Sequence, residues 1–159
     1  DGSVATVDIR YKDMRVYNVP TNVWKLKEVL HSDSSVFVME SAGICIAHLG
    51  HLHHALGKKQ LDLMGRIDIL MVPIDGYATM SHEEVMKVIA DVKPKLILPM
   101  HYHFPGSKQE FTELAAPHYR IKELKTPVFQ ISRRDLPKKA EVLFLPSHYG
   151  DTLPSVDTP

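Results

Sequence analysis

Two nearly uninterrupted apolar runs, Ile67 to Val72 (IDILMV) and Lys95 to Pro99 (KLILP), flank a stretch with strong helical punctuation. A run that lacks polar alternation marks a strand covered on both faces, which is how parallel strands are used. Between the runs, Ser81-x-x-Glu84 is a capping box, and Val85, Ile89 and Val92 share one helical face. Lys93-Pro94 stops the helix, because a proline ring disfavours helical backbone in the residue before it. Strand, helix and strand in this order require a parallel crossover.

The flanking segments read differently. Val4 to Arg10 and Met14 to Val19 form an expected hairpin about Tyr11-Lys12-Asp13, and Pro20, which has no N–H to give a ladder, is expected to end its second strand. Thr21 to Ser35 reads equally as an irregular loop or a short helix. Val36 to Glu40, a Ser-Ala-Gly turn and Ile44 to Ala47 make a second hairpin. Lys58 to Met64 is a short helix capped by Gly65. A second capping box, Ser107-x-x-Glu110, opens a helix carrying Phe111, Leu114 and Ala115 that stops before Pro117. Pro127 to Ile131 and Glu141 to Leu145 read as closing strands. The expected fold class is α/β (α+β): a mixed sheet with helices on one face, forming one domain over residues 1–150, with 151–159 as a disordered tail.

Charge excludes some functions. Lys plus Arg and Asp plus Glu both number 19, so no basic surface offers itself to nucleic acid or an anionic membrane. No apolar run approaches the roughly 20 residues of a membrane span. The single cysteine, Cys45, has no partner for an internal disulfide and reads as a small buried hydrophobe. A cytoplasmic location is expected, with a processed exported protein as the alternative.

Chemistry is expected where the strands end, since ligands of such sheets bind beyond the carboxyl ends of the parallel strands. Ile44 to Ala47 runs into His48, His51, His53 and His54; Lys95 to Pro99 runs into His101 and His103; Asp75 follows the central strand. Imidazole suits zinc, and a catalytic zinc takes about three protein ligands and keeps one position open. His51, His101 and His48 are the candidate metal ligands, and His48 and Asp75 the candidate catalytic residues. His53 and His54 read as loop residues. His82, in the first turn of a helix, reads as solvent-facing.

These residues carry a resemblance. The run from Ile46 to Leu56, Gly65-Arg66-Ile67-Asp68, Pro73 to Gly76 and Pro99 to His103 resemble the second half of metallo-β-lactamase-fold hydrolases, in the branch of ascorbate-6-phosphate lactonase-like enzymes. There a strand ends in His-x-Gly-Asp, whose Asp bridges two metal ions, and a later Pro-x-His-Tyr supplies another ligand. By position, His48 matches the opening histidine, His51 the bridging Asp, and His101 the late ligand. Asp75-Gly76 matches the turn after the central strand. Two departures stand out. The family's His-x-His-x-Asp-His motif is absent from this chain, and His51 cannot bridge two ions as a carboxylate does, which implies a mononuclear or altered site.

The resemblance implies a zinc-type hydrolase acting on a small-molecule substrate, with manganese or iron as alternative metals. It also implies half of an αββα sandwich, the first half being absent, so the isolated chain is expected to be inactive, to hold metal weakly or not at all, and to pair with a second copy or the missing amino-terminal half. The alternative is a non-catalytic half-domain serving as a binding or oligomerisation module.

Overall fold

The computed structural model describes residues 5–21 and 34–146. Four antiparallel strands come first: β1 (Asp8–Tyr11), β2 (Met14–Thr21), β3 (Ser34–Ser41) and β4 (Ile44–His48). The β3–β4 turn has Ala42 and Gly43 at φ 49° and 74°, the paired left-handed geometry whose twist matches the strands it joins. The chain then alternates through α1 (Lys58–Met64), β5 (Ile69–Pro73), α2 (His82–Val92), β6 (Leu96–Met100), α3 (Ser107–Ala115), β7 (Arg120–Glu123) and β8 (Glu141–Phe144). One sheet results, in the order β1-β2-β3-β4-β5-β6-β8-β7, parallel from β4 onward. The expected adjacency of the three central strands therefore holds.

All three helices pack on one face. Val85, Val88 and Ile89 of α2 and Phe111 and Ala115 of α3 join Val38, Ala47, Leu70, Ile97 and Val142 of the sheet in the main core. Each large side chain buried there contributes about 1.5–3 kcal/mol. Ser81 caps α2 as expected, its side chain accepting the Glu84 N–H while Glu84 reaches back to the Ser81 N–H. Ser81→Ala is expected to lower stability by about 1 kcal/mol in denaturant titration.

The opposite face carries the cross-strand row Ile9, Val16, Met39, Ile46, Ile69 and Leu96. Its β6–β8 end is covered by Leu124, Phe129, Ile131 and Leu136 from the β7–β8 connection. Its β1–β3 end is open, with Ile9 63% and Phe37 42% exposed. Below the parallel strands, Asp68 ties four residues together. Its carboxylate accepts the Cys45 N–H at 2.9 Å and pairs with Arg66, and its carbonyl accepts from Lys95 and Leu96.

Several expectations need correction. Pro20 does not end β2: it lies opposite Ser35, and the ladder runs on to Thr21. Ser107 does not cap α3. Gly106, at φ 89°, is the N-cap, and Ser107 is the first helical residue. Pro127 to Ile131 is not a strand; its apolar residues lie across the sheet instead of pairing along its edge, and the edge strand is Arg120–Glu123. Cys45 is half-buried, its sulfur 3.3 Å from the Arg66 guanidinium. Most of the undecided Thr21 to Ser35 segment, and the 151–159 tail, lie outside the described residues. Among the described residues, no helix is long and apolar enough to cross a membrane.

Candidate functional site

The parallel arrangement brings the carboxyl ends of β4, β5 and β6 to one edge, and the loops that follow them carry the histidines and Asp75. His101, the first residue after β6, adopts φ 59°, a left-handed conformation that costs a non-glycine residue about 1–2 kcal/mol. Such strain persists where surrounding contacts over-determine it. Here the contact is Asp75, whose Oδ2 lies 2.9 Å from His101 Nδ1. A carboxylate only accepts, so the imidazole donates through Nδ1, which in the neutral ring leaves the lone pair on Nε2.

Asp75 is itself saturated. Its Oδ1 accepts the N–H groups of Tyr77, Ala78 and Thr79 at 2.8–3.0 Å, and its Oδ2 also accepts the Thr79 hydroxyl. Burial alone would push this carboxyl upward, but the donors from Tyr77, Thr79 and His101 outweigh it and hold the group below its ordinary value. Asp75 is thus a charged strut: it closes its own loop and orients His101, a use of carboxylates behind metal-binding histidines in general.

Around His101 the rings form a chain. Its centroid lies 5.0 Å from that of His51 and 5.2 Å from that of His103, and His51 lies 4.9 Å from His53. His51 is exposed. His54 Nδ1 donates to the Ala55 carbonyl at 2.8 Å. His48 pairs with Phe37 and Met71 on the helix-free face, and its Nδ1 accepts the Gly50 N–H at 3.0 Å. That acceptance leaves the proton of the neutral ring on Nε2. Among the described residues, no group of three or more His, Cys, Asp or Glu side chains gathers tightly enough to hold a metal ion. The donor chemistry suits a borderline ion, with two adjacent imidazoles at one strand-end edge and one of them backed by a carboxylate; the closed ligand set is not formed.

His82 was expected in solvent and is instead 7% exposed. Its Nε2 donates to the Ile74 carbonyl at 3.0 Å, and its ring lies against Gly76. Ser107 donates its hydroxyl to the Asp75 carbonyl at 3.2 Å. Both were legible in principle: His82 precedes Val85 and Ile89 by three and seven residues, and Ser107 precedes Phe111 and Ala115 by four and eight, so each lies on its helix's buried stripe.

Residues 4–101 match the family model described as "Beta-lactamase superfamily domain". The chain belongs to this superfamily. A UPF0173 metal-dependent hydrolase of Caldivirga maquilingensis is 31% identical over 123 residues, covering 71% of this chain and 51% of that protein. Another, from Carboxydothermus hydrogenoformans, is 36% identical over 67 residues, covering 42% of this chain and 30% of that protein. The chain thus spans about half or less of the curated relatives it matches. A Thermotoga maritima structure, named for a Zn-dependent hydrolase of the metallo-β-lactamase superfamily, superposes with a TM-score of 0.72 at 24% identity, covering 89% of this chain and 70% of that one. Its fold is therefore shared with this chain.

Proposed function

We propose that this superfamily member is the carboxyl-terminal part of a metal-dependent hydrolase acting on a small-molecule substrate, with His51 and His101 contributing to a zinc-type centre. The observation that carries the reading is the His51–His101 pair, ring centroids 5.0 Å apart at the strand-end edge, with His101 held through Nδ1 by Asp75. A zinc ion bound there would activate water and polarise a substrate carbonyl or phosphoryl group. Asp75 fixes the tautomer and direction of His101. His48, with its Nδ1 engaged by Gly50, has an Nε2–H to donate, which fits proton donation to substrate better than ligation. Elemental analysis of the purified chain, followed by zinc titration and assays on ester, lactone and phosphodiester substrates, tests the reading. Zinc bound at one equivalent, by the chain alone or joined to an amino-terminal half of a relative, and lost in His101→Ala supports it; no zinc uptake by either form overturns it.

The open apolar surface supports the assembly part of the proposal. Ile9, Tyr11, Met14 and Phe37 are all at least 42% exposed, the pattern of a sheet face that another layer covers. The active form is expected to carry a second copy or an amino-terminal half on this face. A chain that stays monomeric by light scattering across micromolar concentrations, and binds no 8-anilinonaphthalene sulfonate, would contradict it.

A further inference from the structure

We infer that His82 is a positioning residue of the site, acting on His101 through the Ile74–Thr79 loop. The chain of contacts is short. The His82 Nε2–H bonds the Ile74 carbonyl at 3.0 Å, immediately before Asp75. The ring fills the space over Gly76, where a built Cβ would stand 2.8 Å from His82 Cε1. The next contact is Asp75, whose Oδ2 lies 2.9 Å from His101 Nδ1. The Ile74 N–H also bonds the Met100 carbonyl, beside His101, so the two loops are tied to each other. His82 thus touches both neighbours of the carboxylate that aims His101, from a helix anchored in the core by Val85 and Ile89.

Packing alone does not account for this residue. A leucine or phenylalanine would fill the stripe of α2 without a buried polar group, and burying one is unfavourable unless it is hydrogen-bonded. The imidazole supplies one directed donor to the Ile74 carbonyl, in the loop just past β5. Glu110 Oε2 lies 3.6 Å from His82 Nδ1, too far for a hydrogen bond, so the directed contact is the one to Ile74. Ser107 anchors the same loop from α3 through the Asp75 carbonyl, and the Asp75 backbone is therefore held from two helices.

The consequence for metal binding rests on the proposed role of His101, and the test separates the two. In the metal-free full chain, nitrogen NMR of the imidazoles should show His82 as the Nε2–H tautomer and His101 as the Nδ1–H tautomer, with the His101 proton slowly exchanging. His82→Phe keeps a ring and loses the donor; His82→Gln keeps a donor at the position of Nε2. The His101 proton should broaden or vanish in H82F and persist in H82Q. Zinc affinity should fall about 10-fold in H82F and stay within about twofold in H82Q, the size expected for losing an outer support of a ligand. A His82 Nδ1–H tautomer in the wild-type chain overturns the inference without any variant. So does a folded H82F that keeps both the His101 proton and its zinc affinity, or an H82Q that loses them as H82F does. Absence of zinc binding in every form bears on the metal reading alone, and the proton resonances decide the positioning role.

Discussion

Asp75→Asn is expected to weaken zinc binding by about 10- to 100-fold while the protein remains folded. The carboxylate accepts from five donors, namely the N–H groups of Tyr77, Ala78 and Thr79, the Thr79 hydroxyl and His101 Nδ1–H. An amide accepts at one end only. If its NH2 faces His101, the ring must accept through Nδ1, the proton moves to Nε2, and the Nε2 lone pair is lost. If the NH2 faces the loop instead, backbone N–H groups lose their acceptor. Asp75→Ala removes every acceptor at once and should cost about 3 kcal/mol, since each buried donor left unmet costs about 1–3 kcal/mol and the exposed end of the loop regains water. Isothermal titration with zinc and urea unfolding measure the two effects separately.

The charge also predicts a pH dependence. The Asp75 carboxyl is held below its ordinary value of 3.8, so the folded state favours its ionised form. Stability from this group is complete above the unfolded value and is lost as pH falls through the lower, folded one. The stability difference between the wild-type chain and Asp75→Asn should therefore be steady from neutral pH down to about 5 and shrink below about 4. A gap that widens on acidification would contradict the assignment.

Gly76→Ala should be the most damaging single methyl addition near the site. Gly76 sits at φ 71°, and its new Cβ would meet three His82 ring atoms at 2.8–3.3 Å. The left-handed backbone costs about 1–2 kcal/mol for an L side chain. Overpacking against a buried ring adds about 1–3 kcal/mol. The expected loss is about 2–5 kcal/mol in thermal or denaturant unfolding, from the sum of those two effects. Because the ring would be pushed off Ile74, zinc affinity should fall with it. A variant as stable as the parent would mean that His82 can swing away at no cost.

The architecture was legible where local signals and long-range packing agree. Ser81-x-x-Glu84, Lys93-Pro94 and the apolar runs flanking them each point to the same parallel unit, and that unit is present. The readings fail where one signal has two physical outlets. Phe129 and Ile131 alternate like a strand but bury themselves across the sheet, while Arg120–Glu123, with Ile121 as its one apolar residue, forms the edge. Ser107 has the spacing of a cap and bonds Asp75 instead. At the site, the strand ends were predictable from periodicity, so His51, His101 and Asp75 could be placed at one edge. The hydrogen bonds that orient them could not, because Asp75 and His101 are 26 residues apart and nothing in local spacing encodes their contact.

The division of the sheet also bears on the order in which it assembles. From β1 to β2 and from β3 to β4 the chain closes on turns of two residues, so those pairings cost little loop entropy and can form within microseconds. The parallel pairs β4–β5 and β5–β6 must each wait for a crossover of about 20 residues, and such non-local pairings form late. The histidine edge exists only once those late pairings are made. Within these residues the local hairpins can serve as a template, and the ligand-bearing loops acquire their geometry only when the parallel strands pair.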